Sequence, residues 1–77
     1  MQYLDEKMMT IIKENFYDSI KELIGEQNLS SWCQSIGFPR STAKNWFHRG
    51  SLPSTEVLVF LSKKLNVSVD YLLGLET

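Results

Sequence analysis

The 77-residue chain is short of cysteine, with Cys33 alone, and it has no long run of apolar residues. A single cysteine excludes an internal disulfide, and no group of cysteine and histidine has the spacing of a zinc site. The longest apolar run, VLVFL at 57–61, is far shorter than the roughly 20 residues of a membrane-spanning helix. The opening MQYLDEK has acids where a secretory signal would have basic residues. We therefore expect a cytoplasmic protein with no membrane contact, metal or cofactor, and Cys33 as a small buried apolar residue.

Acidic residues are missing from one part of the chain. Residues 28–54 contain no Asp or Glu and have a net charge of +3. Residues 1–27 sum to −3 and residues 55–77 to −1, which gives the whole chain its net charge of −1. The total alone argues against a nucleic-acid-binding protein. A basic segment within an acidic body nevertheless suggests one side that faces a polyanion.

Apolar residues recur at helical spacing, and no segment shows the sustained alternation of a half-buried strand. The first stripe, with an apolar residue every four positions, consists of Met8, Ile12, Phe16, Ile20 and Ile24. Asn15 is a candidate N-cap, so a core-forming helix is predicted from about Phe16 to about Gln27. Residues 3–13 are predicted to form a separate helix or an extension of this one.

A second helix is predicted from about Leu29 to Ile36, with Asn28 or Ser30 as its cap. Gly37 follows the last apolar residue, as a helix-terminating glycine should. This helix is short, and the chain then turns at once into another segment of helical spacing.

The third helix is predicted from about Pro39 to His48, because proline lacks an N–H and suits the first position of a helix. Its two faces differ: Ala43, Trp46 and Phe47 lie on one, and Arg40, Ser41, Lys44, Asn45 and His48 on the other. Trp32 and Trp46 fall on apolar faces, which favours core packing over the stacking of nucleic-acid bases.

Two more helices are predicted towards the end of the chain. Ser54 is expected to cap the first of them, which ends at Asn66, and Ser68 to cap the second, which ends before Gly74. The fold class predicted from these patterns is all-α, a compact bundle of four to five short helices.

A glycine bend between two short helices, the second with a polar outer face, is typical of a helix-turn-helix. Cys33 and Ala43 are small enough to let the two helices approach each other. The outer face of Pro39–His48 could then enter the major groove of B-DNA, which admits an α-helix.

Three segments in this order carry a family resemblance: LSSWCQSIGFPRSTAKNWFHRG, SLPSTEVLVFLSKKLN and VSVDYLLG. They are similar to the DNA-binding domain of lambda-repressor-like proteins of the Cro and XRE type, phage repressors among them. The resemblance implies a helix-turn-helix DNA-binding domain over residues 15–75, preceded by an N-terminal helical extension over residues 1–14.

The resemblance also implies which residues meet DNA. Bases would be contacted by Pro39, Arg40, Ser41, Lys44 and Asn45, and phosphates by Asn28, Ser30, Ser31, Thr42, His48 and Arg49. Two positions depart from the family pattern. Pro39 stands where a capping serine or threonine is frequent, and Leu29 stands where glutamine often braces a phosphate.

The expected function is sequence-specific binding of double-stranded DNA by a transcriptional repressor or regulator in a bacterium or a phage-infected host cell. Such proteins usually bind palindromic operators as homodimers, and either residues 3–12 or residues 71–75 could form the dimer contact. The alternative is a protein-interaction module, such as an antitoxin-like helix-turn-helix protein. No constellation of side chains supports an enzyme.

Overall fold

The computed structural model describes residues 5–75, which contain five α-helices and no strand. The helices are α1 (Glu6–Ile24), α2 (Leu29–Ile36), α3 (Arg40–Arg49), α4 (Thr55–Leu65) and α5 (Val69–Leu73). The predicted all-α bundle of short helices is therefore confirmed.

The first helix is a single element that begins at Glu6, ten residues before the predicted start at Phe16. Asp5 is its N-cap, and the Asp5 Oδ1 accepts a hydrogen bond from the backbone N–H of Met8 at 2.8 Å. The prediction that Asn15 caps a helix is wrong, because Asn15 lies inside α1. Its side-chain amide donates to the carbonyl of Leu73 at 3.4 Å. Residues 6–13 therefore extend the core-forming helix, whereas residues 3 and 4 lie outside the described part of the chain.

The end of α1 also differs from the prediction. The helix stops at Ile24 and not near Gln27, because Gly25 has φ 64° and ψ −129°. A residue with a side chain resists this conformation, but glycine adopts it readily. The N–H of Gly25 still donates to the carbonyl of Lys21 at 3.1 Å, which closes the last turn.

The remaining helix boundaries follow from local capping. Asn28, Ser54 and Ser68 each accept a hydrogen bond from the backbone N–H three residues further on, so these predicted caps are confirmed. Asn66 ends α4 in the left-handed conformation at φ 57°, also as predicted. The side-chain oxygens of Asn28, Ser54 and Ser68 satisfy N–H groups that have no partner inside the helix.

Every helix contributes to one apolar core. The buried residues are Phe16, Ile20, Trp32, Cys33, Ile36, Ala43, Trp46, Leu61 and Leu72. Within residues 5–75 no polar or charged side chain is buried. Both tryptophans are core residues, as predicted, and the small side chains of Cys33 and Ala43 belong to the same core.

The packing of α5 on α1 depends on two side chains of α1. The Ser19 hydroxyl donates to the carbonyl of Tyr71 at 3.2 Å, and Asn15 donates to Leu73 as described. Gly74 ends α5 at φ 72°, and a Cβ at this position would lie 2.6 Å from the Cγ of Asn15. The approach of the two helices therefore needs a glycine at position 74 for its backbone angle and for space.

We expect Gly74→Ala to destabilise the domain more than Gly37→Ala. Both glycines are left-handed, at φ 72° and φ 73°, so an alanine costs about 1–2 kcal/mol of backbone strain at either position. Only at Gly74 must the new methyl group also displace Asn15, an overpacking cost of about 1–3 kcal/mol, since nothing lies within 4 Å at Gly37. Urea unfolding of the two variants measures the difference, and equal losses would contradict the close packing of α1 and α5.

Candidate nucleic-acid interface

The orientation of α3 is set by its inner face. Ala43 is 0% exposed and Trp46 is 2% exposed, and Phe47 is half-buried against the same core. The Trp46 and Phe16 rings meet edge to face, with centroids 5.2 Å apart and planes at 80°. Such aromatic pairs stabilise by about 0.5–1.5 kcal/mol beyond the burial of apolar area. Rotation of α3 about its own axis is therefore opposed by close packing.

The outer face of α3 consists of exposed polar and basic side chains. All residues predicted to contact DNA from this segment are exposed: Pro39, Arg40, Ser41, Thr42, Lys44, Asn45, His48 and Arg49. At 100° per residue, the positions of Ser41, Lys44, Asn45 and His48 lie opposite Ala43 and Trp46. The first turn of α3 contains no acid, and its last turn contains His48 and Arg49.

The start of α3 lies one residue later than predicted. Pro39 is the N-cap residue, with φ −63° and ψ 123°, and the helix begins at Arg40 and runs to Arg49. Proline has no side-chain acceptor, so α3 has no side-chain cap, whereas the other four helices have one. The positive end of the α3 dipole is therefore not compensated by a capping oxygen or by an acidic residue.

The turn between α2 and α3 is held by backbone and side-chain contacts. Gly37 is left-handed, with φ 73° and ψ 37°, and the N–H of Phe38 donates to the carbonyl of Cys33 at 2.9 Å. The Phe38 ring lies near Trp46 of α3 and Phe60 of α4, with centroid distances of 5.4 Å and 5.8 Å. The aromatic residue in the turn thus anchors the N-terminal end of α3 to the body of the domain.

The start of α2 presents the other residues predicted to contact phosphates. Asn28, Ser30 and Ser31 are all exposed. The Asn28 Oδ1 accepts from the N–H of Ser31 at 2.7 Å, which leaves the side-chain NH₂ group of Asn28 as a donor to solvent or ligand. Leu29, which stands where the family often has glutamine, is half-buried, and its side chain packs against the core.

Cys33 lies beneath this surface as a packing residue. It is 1% exposed, and burial raises the pKa of its thiol above the ordinary value of 9.0, while the positive charge of Arg40 acts in the opposite direction. The thiol therefore stays protonated at neutral pH, and the prediction of a small buried apolar residue is confirmed.

Three residues that support this surface were missed by sequence reasoning: Tyr17, Phe38 and Ser51. The Tyr17 hydroxyl donates to the carbonyl of Ser51 at 3.2 Å, and the Ser51 hydroxyl donates to the carbonyl of Asn45 at 3.4 Å. Tyr17 lies beside the apolar stripe of α1 and not in it, so periodicity assigned it no partner. For Phe38, the available signal was the placement of a large aromatic side chain within a turn, between Gly37 and Pro39.

An apolar groove lies away from these residues, where α1 meets the end of α5. It has a volume of about 250 Å³ and is lined by Met8, Ile11, Ile12, Asn15, Gly74 and Leu75. Ile11 and Leu75 are 48% and 57% exposed. The described parts of the two regions predicted as alternative dimer contacts, 3–12 and 71–75, therefore contribute to one continuous surface.

Between positions 5 and 75, no group of three or more His, Cys, Asp or Glu side chains is placed to hold a metal ion. None of the helices in the same range combines the length and the apolar composition needed to cross a membrane.

Comparison with known proteins supports the resemblance noted in the sequence. Searches of curated proteins and of solved structures give no match. A family model described as the bacteriophage CI repressor helix-turn-helix domain matches residues 15–76, well over half of the chain, from within α1 to beyond α5. The chain therefore belongs to the bacteriophage CI repressor helix-turn-helix domain family, a family of DNA-binding regulator domains.

Proposed function

We propose that the protein is a transcriptional repressor that binds double-stranded DNA sequence-specifically by placing α3 in the major groove. The observation that carries this proposal is the outer face of α3, which is exposed, basic and free of acids, on a helix held from beneath by Ala43 and Trp46. The major groove is about 12 Å wide and admits a helix with its side chains.

The proposed base contacts follow from the chemistry of each exposed side chain. Arg40 and Lys44 would donate to guanine O6 and N7, and Asn45 would pair with adenine N6 and N7. Ser41 can donate or accept, so it suits either base. Pro39, which is exposed just before the helix, would make an apolar contact with a thymine methyl group.

The proposed phosphate contacts lie around the base-reading face. They are Asn28, Ser30 and Ser31 at the start of α2, and Thr42, His48 and Arg49 on α3. Phosphate contacts fix the position of the protein on the duplex but do not read its sequence. The net charge of +3 over residues 28–54, against −3 over residues 1–27, would turn this side of the domain towards the DNA.

The protein is further proposed to bind a palindromic operator as a homodimer. Two half-sites one helical turn apart, about 34–36 Å, would bring two copies of the domain together on the duplex. The apolar groove between α1 and α5 supports this proposal, because Met8, Ile11 and Leu75 are about half exposed there. Such a regulator would act in the cytoplasm of a bacterium or of a phage-infected host, without catalysis and without a cofactor.

The same groove favours a second candidate function. An exposed apolar surface on a small domain is typical of a protein-interaction site, so the chain could act as an antitoxin-like module whose partner is another protein. In that case α3 would serve as a solvated face, and the basic segment would have no preferred DNA sequence.

Selection of bound duplexes from a random pool, at two salt concentrations, separates the two functions. We expect enrichment of a palindrome and an affinity that falls steeply with salt, because each neutralised phosphate contributes about −0.9 to the slope of log K against log salt. Binding that shows neither enrichment nor a salt effect refutes the DNA-binding proposal and leaves the protein-interaction function.

On the selected duplex, Arg40→Ala and Lys44→Ala should each weaken binding by about 1–3 kcal/mol and relax the preference at one base position. Lys7→Ala is the matched control, because Lys7 is also exposed but lies in the first turn of α1. Fluorescence anisotropy on duplexes with single base changes measures both effects. If Arg40 and Lys44 behave like Lys7, the base-reading face is assigned to the wrong residues.

Ile11→Asp should prevent cooperative binding to the full operator and leave binding to a single half-site unchanged. Contact between two copies at the groove would bury the new carboxylate without a partner, and this burial would oppose their association. Val59→Asp is the control, since Val59 is 42% exposed on α4 and does not line the groove. Titration of half-site and full-site duplexes provides the measurement, and unchanged cooperativity in Ile11→Asp would remove the groove from the dimer contact.

A further inference from the structure

Tyr17 connects the middle of α1 to the segment that follows α3. Its ring packs against Phe16 and Phe47, with centroid distances of 6.1 Å and 5.7 Å. Its hydroxyl donates to the carbonyl of Ser51 at 3.2 Å, in a part-buried position. The two residues are 34 positions apart in the chain, so this contact exists only when α3 is docked on α1.

Ser51 also forms a hydrogen bond with α3. Its hydroxyl donates to the carbonyl of Asn45 at 3.4 Å, across the left-handed Gly50 at φ 64°. The chain thus leaves α3, turns at Gly50, and is tied at one residue both to α1 and to the second half of α3. Asn45 is the proposed reader of adenine, and His48 and Arg49 lie between it and the turn.

We propose that Tyr17 is a positioning residue for DNA binding, which acts through Ser51 to hold the C-terminal half of α3 against α1. This inference rests on the proposed function, because the side chains that it positions are Asn45, His48 and Arg49. The contacts of Tyr17 itself are to Phe16, Phe47 and the carbonyl of Ser51.

The need for such a support follows from the length of α3. A helix of 10 residues is not stable by itself in water, and its last carbonyl groups have no partner inside the helix. Phe38 packs at the N-terminal end, and Trp46 and Phe47 pack in the C-terminal half. The Tyr17–Ser51 hydrogen bond adds a support beyond Phe47, at the end that contains His48 and Arg49. Burial raises the pKa of Tyr17 above 10.0, so its hydroxyl remains a donor at physiological pH.

The test compares Tyr17→Phe and Ser51→Ala with the wild-type chain on the selected half-site duplex. Tyr17→Phe keeps the ring and removes one hydrogen bond, and Ser51→Ala removes the bond to Asn45 but keeps the carbonyl that Tyr17 contacts. Ser19→Ala is the matched control, because it removes a hydroxyl of α1 that donates over the same distance of 3.2 Å, but to α5. Circular dichroism and thermal melting establish that all variants are folded.

We expect Tyr17→Phe and Ser51→Ala each to lower affinity by about two- to tenfold, the effect of one lost hydrogen bond. The slope of log K against log salt should fall by about 1, the effect of one lost phosphate contact. Amide hydrogen exchange without DNA should be faster at residues 48–51 in both variants and unchanged there in Ser19→Ala.

Wild-type affinity and salt slope in either variant overturn the proposed role of Tyr17. A loss equal to that of Ser19→Ala also overturns it, because the effect would then reflect stability alone. These outcomes presuppose that the wild-type chain binds the duplex with a salt-dependent affinity. A wild-type chain that does not bind refutes the proposed function itself, and the positioning role with it.

Discussion

The close packing of Trp46 in the core is the contact on which the position of α3 and its exposed outer face depends. An outer face that consists of polar and basic residues cannot contribute apolar burial, so a 10-residue helix must be held by its few inner residues. Trp46 meets this constraint because it is large, is only 2% exposed and contacts both Phe16 of α1 and Phe38 of the turn. Ala43, one turn earlier, is fully buried in the same core.

The residues that hold α3 in the fold differ from those on its exposed outer face. Phe38 and Phe60 hold the N-terminal end of α3, and Tyr17 with Ser51 holds the other end. The polar and basic side chains on the outer face of α3 are exposed, and we propose that they contact DNA. On α2 the division is less strict, because Asn28 caps the helix with its oxygen and only its NH₂ group remains available. Away from this surface, the groove beside α1 and α5 offers apolar contact instead of charge.

Predictions from sequence succeeded where the cause was local. Asn28, Ser54 and Ser68 cap their helices through hydrogen bonds to residues three positions away, and Gly37 ends α2 through its own backbone angle. Asn15 is of a residue type that often caps helices, but it lies inside α1, which Asp5 caps. Its amide donates instead to the carbonyl of Leu73, 58 positions away. The exposure of the predicted DNA-contacting residues followed from helical periodicity, but their DNA contacts remain a proposal.

The sequence by itself determined the all-α class, the ends of α2, α4 and α5, the helix-turn-helix and the charge of its outer face, because these depend on neighbours within one or two turns. Only the tertiary structure decided that residues 6–24 form one helix, that Gly74 must admit Asn15, and that Tyr17 reaches Ser51. It also decided that Ile11 and Leu75 share one groove. These contacts join residues far apart in the chain, and the spacing of residues along one helix contains no information on which distant backbone atom will lie beside it.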